Sequence, residues 1–171
     1  MRTRSWYRCN LLFLFLIFFL FGCSFRDSEP GITGYVTDIT DTRMLVTSSE
    51  AQDLSDNGGV NEFYQMIWFS NAPDTVELGD KVSVWYDSLQ ESYPAQSSVK
   101  KYEIIDATAP SGATYSKTDA LKKALDQQSN HPSQDFAVRS IDFIEHTATW
   151  LVELKDIWSE EVFSHEIQEE I

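Results

Sequence analysis

Leu78-Gly79-Asp80-Lys81-Val82-Ser83-Val84-Trp85-Tyr86 reads as a tight turn running into a strand. Glycine permits the turn. The alternation after it sends Val82, Val84 and Tyr86 to one face, and Lys81, Ser83, Trp85 and Asp87 to the other. The same alternation runs through 32–39, a half-buried strand, and a turn at Thr40-Asp41 joins it to a second strand over 42–47. A third strand is expected over 62–69, apolar on both faces, and a fifth over 99–105, with 82–86 as the fourth. Gly58-Gly59, Pro73, Gly79 and Pro94 punctuate the series, and no helical period interrupts it. Five short strands in this space predict an OB-like five-stranded β-barrel over 31–107, with a sandwich or a meander as the alternative.

Beyond this, 108–171 reads as a helix plus a β-hairpin with an acidic C-terminal segment. Ser116-Lys-Thr-Asp119 resembles a capping box, and Ala120, Leu121, Ala124 and Leu125 follow at helical spacing, which predicts a helix over 118–128. Residues 136–144 and 147–154 form the hairpin, turning near Glu145-His146. A unit this small must dock onto the barrel or pair with a further strand. The segment 156–171 carries six acids and no base. It fits a helical face loosely, an edge strand over 162–167 nearly as well, or a frayed end. The fold class is therefore mainly β with a smaller α+β part.

The start of the chain reads as an export address rather than as structure. Arg2, Arg4 and Arg8 precede an apolar run over 11–21. Eleven helical residues reach about 16 Å, short of the ~30 Å hydrocarbon core. Leu20-Phe21-Gly22-Cys23 resembles the lipobox of bacterial lipoproteins. That resemblance implies a signal peptide over 1–22, lipidation of Cys23, and a tether over 23–30. The protein is then expected at the cell membrane, lipid-anchored on its extracytoplasmic face. An ordinary secretory peptide and an uncleaved anchor are the alternatives. Cleavage after Gly22 removes three arginines and no acid, moving the net charge from −14 to −17. Such a surface repels nucleic acid, so no nucleic-acid partner is expected. Cys9 and Cys23 are the two cysteines, which leaves the exported domain without a disulfide or a thiol nucleophile.

Gly34-Tyr-Val36, Arg43-Met-Leu-Val46, Ile67-Trp68, Leu78-Gly-Asp-Lys-Val82, Val84-Trp85 and Ser92-Tyr-Pro-Ala-Gln96 together resemble the YobA-like exported lipoproteins of Gram-positive bacilli. The likeness covers about 31–107, and Ser92–Gln96 is its most specific part. It implies a β-rich exported domain of unknown function and assigns no activity and no site residues.

Motifs for chemistry are sparse. Asp53, Ser55, Asn57 and Gly58 align with a calcium loop, but its twelfth position is Tyr64, where a bidentate Glu is needed. The better reading is a polar turn, with weak calcium binding possible outside the cell. His131, His146 and His165 lack metal-ligand spacing, so no metal site is expected. There is no Gly-x-Ser-x-Gly elbow and no phosphate-binding glycine loop, and no catalytic residue is assigned. The candidate binding residues are aromatic. Tyr35 and Trp85 point outward from neighbouring strands, and Tyr93 sits beside Pro94 in a loop. Tyr35 and Trp85 are expected either as a side-by-side contact pair or as rings covered by the helix–hairpin unit. Tyr93 is either a ligand-contacting loop residue or a ring folded over the barrel end. The expected role is non-catalytic binding of an envelope protein, peptide or cation. The alternative is a regulatory or inhibitory module acting on an envelope enzyme through the acidic C-terminal segment.

Overall fold

The computed structural model describes residues 28–105 and 108–169. The expected signal peptide over 1–22, Cys23 and the first part of the expected tether lie outside the described residues. The strands are β1 (Ile32–Ile39), β2 (Arg43–Ser48), β3 (Met66–Ser70), β4 (Lys81–Trp85), β5 (Ala95–Ser98), β6 (Lys101–Ile105), β7 (Phe136–Ile144), β8 (Thr149–Asp156) and β9 (Val162–Gln168). The helix α1 (Lys117–Gln127) precedes β7. Among the described residues these nine strands make two sheets, ordered β5-β3-β2-β1-β4-β6 and β7-β8-β9. The mainly β class is as expected. A closed barrel is not found: the six-stranded ladder is open, with β5 and β6 at its two ends.

Two expected strands change shape. The fifth, expected over 99–105, is β6, antiparallel to β4, and an unexpected strand before it, β5, runs parallel to β3. Ala-Gln-Ser-Ser has no apolar alternation to betray β5, so its place comes from pairing with β3 rather than from propensity. The third strand begins at Met66, not at 62, because Glu62–Gln65 belong to a long β2–β3 loop clasped by a Gln52–Phe63 bridge.

The first sheet buries the alternate positions Ile32, Val36, Met44, Val46, Ile67, Phe69, Val82 and Val84 on one side. Tyr86 closes this core with its ring 5.6 Å from Phe69. In the second unit, Ala120, Leu121, Ala124 and Leu125 of α1 lie on Phe136, Val138, Ile141, Trp150, Val152, Leu154 and Ile167. The capping box forms: the Asp119 N–H donates to Ser116 Oγ at 3.2 Å, and the Ser116 N–H donates to Asp119 Oδ2 at 2.8 Å. The edge-strand reading of the acidic segment is the one realised. β9 pairs with β8 and buries His165 and Ile167.

The second unit rests on the outer face of the first. Tyr35 and Leu78 pack into the α1–β7–β8–β9 core. The buried Thr47 hydroxyl donates to the Phe136 carbonyl at 3.2 Å and meets the Thr37 hydroxyl at 3.0 Å. These hydroxyls satisfy polar groups that burial would otherwise leave costly.

Candidate functional site

Tyr35 and Trp85 are not neighbours. Tyr35 pairs with Lys81, and Ile32 pairs with Val84, so Trp85 lies four residues along β4 from the partner of Tyr35. At ~3.3 Å per residue that is about 13 Å. Both project outward, but the register separates them, and the side-by-side pair is not formed. Tyr35 is instead covered by the second unit, with the Lys81 ammonium 5.5 Å from its ring centre. Burial raises the pKa of its hydroxyl. Trp85 donates its indole N–H to the Ser28 carbonyl and carries the Lys101 ammonium 4.3 Å over its ring.

Tyr93 stands elsewhere, at a cleft of about 230 Å³ between the two units. Three segments build it. The β2–β3 loop supplies Val60, Glu62, Phe63 and Tyr64; the loop before β5 supplies Tyr93; the end of β8 and the following turn supply Lys155, Ile157 and Glu160. A cis Tyr93–Pro94 bond carries the ring. The Tyr93 hydroxyl donates to the Tyr64 carbonyl at 2.9 Å. Its ring lies 5.5 Å from Phe63 and meets Trp158 edge-on at 5.8 Å. Tyr93 remains 39% exposed and Trp158 57%, which leaves aromatic surface at the mouth of the cleft.

Trp158 lies in the acidic segment 156–171, for which the sequence offers no candidate binding residue. Its position comes from the turn after β8. The buried Asp156 carboxylate accepts the N–H groups of Trp158 (2.7 Å) and Ser159 (3.0 Å), and Asp135 accepts the Trp158 indole N–H at 2.8 Å. An Asp followed by a Trp and a Ser in a polar segment was the available signal.

Glu62 ties the loop to the second sheet. Its carboxylate accepts from Arg139 Nε (2.7 Å), Lys155 Nζ (3.2 Å) and the Tyr64 hydroxyl (3.1 Å). Burial works to raise its pKa, but these three donors outweigh it and hold the carboxyl below the usual range. Tyr64 is pushed up to about 12 by burial and by its bond to Glu62. Burial, then the charge of Asp135, raises Tyr93.

The remaining candidates are structural in their contacts. Asp53 accepts the Ser55 N–H at 2.9 Å, and Gly58 closes that loop at φ 78°. His131 packs edge-on to Phe163 at 5.1 Å, and His165 bonds Gln127 and Gln128 of α1. Among the described residues no group of three or more His, Cys, Asp or Glu side chains is placed to hold a metal. A wider hollow of about 460 Å³ beside Pro30–Thr33 and Ser48–Gln52 is lined chiefly by small and polar residues. The 230 Å³ cleft is walled by the rings of Phe63, Tyr64 and Tyr93 from the first unit and by Lys155, Ile157 and Glu160 from the second.

Residues 33–106 match the model of a family described as a protein of unknown function (DUF3221). The first unit is thus similar to this domain of unknown function. Among its relatives is the "Uncharacterized protein YobA" of Bacillus subtilis (strain 168), 27% identical over 112 residues, covering 56% of this chain and 93% of the relative. No solved structure matches the chain. Glu62, Phe63, Tyr64 and Tyr93 fall inside the matched domain, whereas Lys155, Trp158 and Glu160 fall outside it.

Proposed function

We propose that this protein is a lipid-anchored, extracytoplasmic, non-catalytic binding module that engages its ligand through the Tyr93–Trp158 cleft. The observation that carries the reading is the exposed aromatic edge where two separately built units meet. Clefts between units, with apolar walls and a few polar groups, are where ligands bind. Exposed Tyr and Trp supply large contact area at small entropic cost. The lipobox-like Leu20–Cys23 supports attachment through the Cys23 sulfur. Ser28 is five residue steps from Cys23, a reach of at most about 18 Å. The module therefore works close to the bilayer.

The OB-like reading belongs to the same proposal. β1, β2 and β3 form a meander, β4 pairs with β1, and β5 runs parallel to β3. The two end strands of the open order are consecutive in the chain, with only Val99 and Lys100 between them. The Val99 N–H donates to Ser70 of β3 at 3.1 Å, and the Lys100 N–H donates to Trp85 of β4 at 3.0 Å. A single bent strand over 95–105 bridging both edges in this way would supply the closure an OB-like barrel needs. The acidic segment on which a regulatory role would rest is not a free tail, since 162–168 is built into the second sheet.

The test has two parts. Mass spectrometry of the native protein should find residues 1–22 removed and Cys23 acylated. A photo-reactive residue at position 158 should then give a discrete adduct in intact cells, while one at position 85 gives none. Equal adducts from both positions, or none from 158, reject the cleft as the binding site.

A further inference from the structure

We infer that the cleft takes a lysine side chain of a cationic peptide segment, a ligand class that rests on the cleft being the binding site. The walls offer both halves of what such a side chain needs. Val60, Phe63 and Ile157 give an apolar surface for a four-carbon stem. The Tyr93 ring lines the cleft, the exposed Trp158 ring lies 5.8 Å from it, and ring faces attract an ammonium group.

The charges decide the sign of the ligand. Glu62 is engaged by Arg139 and Lys155, and Glu153 lies 3.7 Å from Arg139. Those two cations are therefore matched by two acids. Two further carboxylates remain. Glu160 lines the cleft with no ion pair among the described residues. Asp135 accepts only the Trp158 indole N–H and acts on the Tyr93 hydroxyl through its charge. Glu160 thus adds a negative charge without an ion pair at the cleft, and Asp135 adds a second beside Trp158. The whole chain, at −14, steers cationic partners toward it and repels anionic ones. A neutral apolar ligand would use the walls and leave the Glu160 charge unmatched.

The whole chain in maltoside micelles, with its tryptophans replaced by 5-fluorotryptophan, gives a fluorine resonance for Trp158 that Trp158→Phe assigns. Nα-acetyl-lysinamide should shift that resonance saturably and bind at least about fivefold more tightly than neutral Nα-acetyl-norleucinamide. Glu160→Gln should weaken lysinamide about threefold and leave norleucinamide unchanged. Tyr93→Leu should abolish the shift while the buried Trp150 resonance stays in place, which shows that the fold is kept. Equal binding of the two amides overturns the inference, as does the absence of a saturable shift. Tighter binding of choline than of lysinamide also overturns it, by moving the ligand to a lipid headgroup. If lysinamide fails while position 158 still crosslinks in cells, the ligand class falls and the site stands; if both fail, the site falls too.

Discussion

Glu62→Gln removes one charge from the join between the cleft loop and the second sheet and changes almost no volume. Glu62 is 25% exposed and accepts from three donors at 2.7, 3.1 and 3.2 Å. A charge-assisted hydrogen bond contributes about 1.5–3 kcal/mol and a neutral one about 0.5–1.5. The bond to Lys155 dominates, because that side chain is only 12% exposed, while the Arg139 side chain at 37% is more screened by water. Glutamine keeps an acceptor for one or two donors, so the expected loss is about 2 kcal/mol. Urea unfolding at pH 7 of the chain from residue 24 measures it. A cycle with Lys155→Met should return a coupling of about 1–2 kcal/mol. The pH dependence has a fixed sign. The folded carboxyl titrates below its unfolded value of about 4.3, so its stabilisation is complete above that value and is lost as pH falls through the folded pKa. The gap between wild type and Glu62→Gln should therefore close as pH drops below about 4. A loss under about 0.5 kcal/mol at pH 7, or a gap that does not change with pH, would refute the claim that this carboxylate joins the units.

Leu121→Ala empties part of the α1 core and should cost about 2–5 kcal/mol, read by the same urea titration. Gly79→Ala should destabilise by more than about 1 kcal/mol, because φ there is 91° and a Cβ would lie 2.8 Å from the Thr118 carbonyl. His165 is buried against Gln127 and Gln128, and burial lowers its pKa. Its ring resonances should titrate with a midpoint below about 6.5, and the stability it contributes, present above about 6.5, should be lost as pH falls through that midpoint. Trp158→Ala should change stability by less than about 1 kcal/mol, since the ring is 57% exposed, while removing the position-158 contact on which binding depends.

Much of the fold was readable where the signal is local. The alternation in β1 and β4 gave their inner faces, and Ser116 with Asp119 marked the helix start to within a residue. Each of these rests on side chains a few positions apart. What escaped depends on distant partners. β5 exists because β3 offers it an edge, and its own residues carry no apolar period. Tyr35 and Trp85 share an outward parity that alternation predicts, but their separation follows from the β1–β4 register, which no single strand encodes. Tyr93 was singled out as a loop aromatic, yet its companion Trp158 comes from the turn after β8 and is held there by Asp135 and Asp156. The cleft is a product of docking, and docking leaves no periodic trace in the chain.

Gly79 was first a turn residue, and the docked helix gives it a second obligation. Its amide donates to Val36 at 2.8 Å, while the space a side chain would fill belongs to Thr118 and Lys122 of α1. Drift at this position is therefore policed twice, once by chirality at the turn into β4 and once by a neighbour from another unit. A homologue that kept the turn and shed the helix would be released from the second constraint alone. Asparagine, the usual left-handed substitute, should then be tolerated there and purged here.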